Sequence, residues 1–179
     1  MKTLALFFLF CLSSGANAQW ALFSSLDGRF QISSPKPLEH QESKTETPLG
    51  TITYHTYYYR PVEDPNGNQW FSVSYCDYPH GTIHSDSTSL LDEFFEETIK
   101  ESAFSVNGEV RYVETIDFSG LPGRFWRVDY LNDQVAIKSK AILLANRFYV
   151  IQVVSLAEKS ANTDVMKFIE GFKLLTGLP

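Results

Sequence analysis

The densest group of side chains able to do chemistry is the stretch DYPHGTIHSD, Asp77 to Asp86, which puts two of the chain's four histidines and two aspartates within ten residues. Imidazole and carboxylate donors together suit zinc or another divalent transition metal, and Asp77, His80, His84 and Asp86 could converge if Gly81 bends the loop. His55 offers a third imidazole, because it lies on a strand expected to pair with the run that ends at Tyr78. The spacing is not that of a helical H-E-x-x-H pair, however, and Pro79 with Gly81 leaves the loop path open. The competing reading makes the stretch a strand-to-helix connection, with His80 and His84 in water and Asp86 helping to cap the following helix.

Cys76 stands just before this loop. A thiol beside His80 or His84 would be a nucleophile with its base, but Cys76 sits in the strand-like run WFSVSYCDY, where a lone cysteine packs as a small hydrophobe. There is no G-x-S-x-G elbow, and Gly120-Leu-Pro-Gly123 has neither the spacing nor the lysine of a phosphate loop. A hydrolase would need a nucleophile, a histidine and an acid gathered from distant segments. The expectation is therefore no catalytic residue and no cofactor, with zinc at the histidine loop as the alternative and an unrecognised hydrolase site third.

Aromatic side chains form the other concentration. Tyr54, Tyr57, Tyr59, Trp70 and Tyr78 crowd one hairpin, and alternation must point some of them away from the main core. Under a helix they are core; uncovered, they form a patch able to anchor a protein partner.

The beginning of the chain reads as an address. Lys2, the apolar run LALFFLFCL and Ala16-Asn17-Ala18 have the form of a secretory signal over residues 1–18, cleaved before Gln19, and the run is too short to span a bilayer. The expected mature chain, residues 19–179, loses one of fifteen basic residues and keeps all twenty-one acidic ones, a formal charge of −7. That balance disfavours nucleic acid and anionic membrane surfaces, both of which need a cationic footprint. Only Cys76 survives cleavage, so no internal disulfide can form even in a compartment that permits one. The expected location is exported, periplasmic or secreted, with no membrane insertion once the signal is removed.

The elements that must position these groups follow from periodicity. Gly28 to Ile32 reads as a short strand stopped by Ser-Ser-Pro-Lys-Pro. Glu39 to Thr47 is polar and fits either a hairpin arm or a loop. Gly50 to Tyr59 and Gln69 to Tyr78 read as two antiparallel strands joined through Asp64-Pro-Asn-Gly-Asn68. Phe71, Val73 and Tyr75 share the return strand's larger face, the better core candidate. Ser89 is the expected cap of a helix whose apolar stripe is Leu90, Leu91, Phe94, Phe95, Thr98, Ile99 and Ala103, ended at Val106-Asn107-Gly108. Strands follow over Glu109 to Asp117, Arg124 to Tyr130, Val135 to Leu144 and Phe148 to Leu156, with Ser119 to Gly123 read as a turn. The last strand is apolar on both faces and should be central. A final helix capped at Asn162 or Thr163 buries Val165, Phe168, Ile169 and Phe172, and Gly177-Leu-Pro should stop it. One α+β domain is expected: a twisted antiparallel sheet with helices on its faces.

The order of Gly28-Arg-Phe-Gln-Ile-Ser-Ser-Pro35, a hairpin, the helix after Ser89, Gly120-Leu-Pro-Gly123, a meander ending in Arg147-Phe-Tyr-Val-Ile-Gln152, and Phe168-Ile-Glu-Gly-Phe-Lys-Leu174 resembles the PsbP-like superfamily, which includes the Mog-type Ran-binding proteins. The resemblance spans nearly all of residues 19–179 and consists of turns and core positions. It implies a three-layer α/β/α sandwich around an antiparallel sheet, in a family whose members include extrinsic photosystem II subunits, a Ran-binding factor and exported bacterial proteins of unassigned role. Binding to an unidentified protein in the envelope or outside the cell, without catalysis, is what the resemblance implies for function.

Overall fold

The computed structural model describes residues 20–47 and 50–175. The expected signal over residues 1–18 and the Gly177-Leu-Pro stop lie outside them. Ten strands and two α-helices follow in the order β1 (Ala21–Ser25), β2 (Phe30–Ser34), β3 (Glu39–Thr47), β4 (Gly50–Tyr59), β5 (Asn68–Asp77), α1 (Thr88–Phe104), β6 (Glu109–Phe118), β7 (Leu121–Tyr130), β8 (Val135–Leu144), β9 (Arg147–Leu156), α2 (Thr163–Glu170) and β10 (Lys173–Leu174). Seven strands form one antiparallel sheet in the order β3-β4-β5-β9-β8-β7-β6, and β1-β2-β10 form a second, smaller one. Strand dominates this α+β chain.

β9 is the middle strand of the seven, as its two apolar faces require. Tyr149, Ile151 and Val153 enter one cluster with Phe71, Val73 and Tyr75 of β5, Phe30 and Ile32 of β2, and Val165, Phe168, Ile169 and Phe172 at the C-terminal end. Phe148, Val150 and Val154 face the other cluster, with Phe95, Ile99 and Ala103 of α1, Trp126 and Val128 of β7, and Cys76. Complete burial of one such side chain stabilises the fold by roughly 1.5–3 kcal/mol before entropy is counted. One side of the large sheet is thus covered by α1, while the other is covered by α2 together with the small sheet, so the simple sandwich of helices expected from the sequence is met only in part.

Several boundaries depart from expectation for local reasons. The α1 N-cap is Ser87 rather than Ser89, and no side chain caps it, because the Ser87 hydroxyl instead accepts from the His84 amide at 3.2 Å. Leu90 falls off the apolar stripe and is exposed. α2 keeps its expected cap: Asn162 Oδ1 accepts from the amides of Asp164 and Val165. It ends sooner, at Glu170, and the chain turns through Gly171 so that β10 can pair with β2. β7 starts at Leu121, since Ser119 and Gly120 alone, both with positive φ, make the reversal. Pro122 is tolerated there because pairing of β7 with β8 begins only at Gly123.

Candidate functional site

The two faces of β5 carry different side chains, and that difference shapes the site. Phe71, Val73 and Tyr75 fill the α2 side, while Ser72, Ser74 and Cys76 leave the α1 side shallow. Small polar contacts cross this side, with Thr56 Oγ1 3.0 Å from Ser74 Oγ and Gln152 Nε2 donating to Ser139 Oγ at 3.1 Å. α1 packs mainly over β7 and β6. An open groove of about 790 Å³ remains beside it, lined by Arg60, Val62, Trp70, Tyr130, Ile137 and Val154 among others.

A β-bulge at the start of β5, between Asn68 and Trp70, sets Trp70 against Val154 and into the groove. Trp70 stacks on Tyr58, with ring centres 4.5 Å apart and planes 9° apart, and the Arg60 guanidinium lies 5.5 Å from the indole centre. Among the described residues no carboxylate lies within ion-pair distance of Arg60. The loop behind this group is tied down. Asp64 accepts from the Asn66 amide at 2.7 Å and from Asn68 Nδ2 at 3.2 Å, Gly67 takes a φ of 73°, and Asn66 Nδ2 donates to Asp164 at the start of α2. Val62, close to Arg60 in the chain and 99% exposed, stands at the rim.

The aromatic residues singled out in the sequence separate onto two faces. Tyr57 and Tyr59 are half-buried against the cluster under α2. Tyr54 and Tyr78 are half-buried on the α1 side, where Tyr78 meets Phe94 edge-on at 5.4 Å. Trp70 alone of the five lines the groove. Arg60 and Val62 carry no sequence signal beyond lying near the turn at Asp64, and sequence reasoning passed over them.

The histidine loop is not drawn together. Asp77 is engaged by Arg147 through two hydrogen bonds of 2.6 Å, while His80, His84 and Asp86 lie at the surface. His84 Nδ1 accepts from the Asp86 amide at 3.2 Å, and the Asp86 side chain caps nothing. Among the described residues, no three of Asp77, His80, His84 and Asp86 bring ligand atoms together. His55 turns instead toward β3. Cys76 is 1% exposed, and burial pushes its thiol up to about 12, which removes it as a nucleophile at neutral pH.

No family model and no curated protein matches the sequence. Among solved structures the chain is similar to the solution structure of cyanobacterial PsbP (CyanoP) from Synechocystis sp. PCC 6803, with a TM-score of 0.58, 11% sequence identity, and coverage of 90% of this chain and 95% of that one. No helix among the described residues is long and apolar enough to cross a membrane. At that identity the likeness speaks for architecture, and the protein has a PsbP-like fold.

Proposed function

We propose that this protein is an exported accessory protein without catalysis of its own, and that it holds a partner protein in the envelope or outside the cell through the groove beside Trp70. The observation that carries this reading is the Arg60–Trp70 contact in the open groove at the start of β5. Trp and Arg dominate the energetics of protein interfaces, and a guanidinium without a local carboxylate seeks one elsewhere. The partner chemistry that fits is a segment presenting an apolar side chain to Trp70 and a carboxylate to Arg60. Fold likeness to PsbP supports an accessory role, and the composition of the first eighteen residues supports export.

A photo-crosslinking residue placed at Val62, in cells that make the protein, tests this. The reading expects one discrete crosslinked product that is lost on Arg60→Glu and on Trp70→Ala, yet persists on His84→Ala. No product, or one indifferent to Arg60 and Trp70, would exclude the groove as the docking surface.

A further inference from the structure

The edge strand β3 brings together three metal-ligand side chains that lie apart in the sequence. β3 is exposed along nearly its whole length and, among the described residues, pairs with β4 alone. Alternation puts His40 and Glu42 on the same face. The register sets Glu42 directly opposite His55, and His40 opposite Tyr57. His55 Nδ1 is 3.2 Å from Glu42 Oε1, and one ligand atom from each of His40, Glu42 and His55 lies within 4.8 Å of the other two. Ligand atoms around a tetrahedral zinc, with metal–nitrogen distances near 2.0 Å, are about 3.3 Å apart. His40 and Glu42 lie on the exposed strand, where side-chain rotation can close that gap towards His55 on β4.

Each imidazole lies against a tyrosine ring. His40 stacks on Tyr57 with ring centres 4.4 Å apart, and His55 stacks on Tyr75 at 4.7 Å. Both tyrosines pack in or against the core cluster under α2, and the two histidine rings lie within 6° of parallel. That support limits the space each ring explores, and a shared ion needs only a turn of the exposed His40 ring and the Glu42 side chain to bring the three ligand atoms onto one point. We infer that His40, Glu42 and His55 form a binding site for one divalent transition-metal ion of the zinc class, with its remaining position open to water. Two nitrogens and one carboxylate oxygen are the donor set such an ion takes when one position is left open. Calcium and magnesium, which take oxygen ligands, do not fit it. Among the described residues no other group of three or more such side chains converges in this way.

The site is independent of the groove, so either reading can fail alone. The test uses untagged protein in its naturally processed form, with zinc chloride as the probe. The chain has four histidines, which makes their ring proton resonances a complete census. Calorimetry should give about one zinc per chain, and the resonances of His40 and His55 should move while those of His80 and His84 stay. His40→Ala and the isosteric Glu42→Gln should each weaken binding at least about tenfold, with unchanged far-ultraviolet dichroism. A double His80→Ala, His84→Ala variant should bind as the parent does. No heat of binding, or shifts centred on His80 and His84, would overturn the assignment.

Discussion

Asp77 and Arg147 stand opposite each other on β5 and β9 and make two parallel hydrogen bonds of 2.6 Å, Nε to Oδ1 and Nη2 to Oδ2. The same guanidinium donates to the Asp27 carbonyl and lies over the Tyr75 ring at 4.7 Å. One arginine therefore joins the large sheet to the turn between β1 and β2, and it engages both carboxylate oxygens of the first aspartate of the histidine loop.

Loss of that arginine should cost more than loss of the aspartate. Asp77→Asn gives up one charge of a half-exposed pair and should destabilise by about 0.5–1 kcal/mol. Arg147→Ala also forfeits the carbonyl bond and the ring contact, and should cost about 2 kcal/mol in urea titrations. Arg147→Lys should recover little, since an ammonium cannot make the paired contact. Equal losses for Asp77→Asn and Arg147→Ala would show that the bridge to Asp27 contributes nothing.

Cys76 gives a pH dependence with a definite sign. Burial, and secondarily the charge of Asp77, raises its thiol from 9.0 to about 12, so between those values the unfolded chain loses a proton that the folded chain keeps. Stability contributed by the buried thiol is complete below pH 9 and falls as pH rises toward 12, at up to about 1.4 kcal/mol per unit. Tyr75, raised by burial from 10.0 to about 12, acts in the same direction. Cys76→Ala should flatten the alkaline limb of the stability curve. A thiol reagent at pH 8 should modify Cys76 only as fast as the protein opens; rapid modification of the folded protein would mean that solvent reaches the thiol.

Tyr149 donates to the Gly28 carbonyl at 2.9 Å inside the cluster under α2. Tyr149→Phe keeps the ring and strands that carbonyl, so it should cost about 1–3 kcal/mol in chemical denaturation. A neutral effect would mean that water reaches Gly28.

Period-two alternation made β4, β5, β8 and β9 legible, along with the two-faced burial of β9, because a strand buried on both sides must be apolar at every position. β3 was ambiguous for the converse reason: an edge strand with little burial carries no apolar period, and Glu39 to Thr47 reads as a loop unless its pairing with β4 is known. The same ambiguity hid the relation of His40 and Glu42 to His55. Proximity along the chain pointed to Asp77 through Asp86, whereas spatial convergence comes from a register that pairs Glu42 with His55. Arg60 and Val62 were silent because a groove is defined by what fails to cover it.

Gly123 and Gly120 separate two uses of glycine that the motif Gly-Leu-Pro-Gly presents as one turn. Gly120 has a φ of 84°, and a Cβ added there would meet nothing within 4 Å, so its need is conformational. Gly123 lies inside β7, where a Cβ would meet the Ala141 carbonyl oxygen at 2.6 Å and Ile116 at 2.9 Å. That oxygen belongs to the neighbouring strand β8 and cannot retreat without opening the ladder. Gly120→Ala should therefore cost about 1–2 kcal/mol, the penalty of a left-handed backbone. Gly123→Ala should cost about 1–3 kcal/mol or more through overpacking, with faster amide exchange along β7 and β8. The exchange pattern distinguishes the two: strain at Gly120 should leave the centre of the sheet protected, and a Gly123→Ala variant with undisturbed exchange would mean that the strands can part without loss.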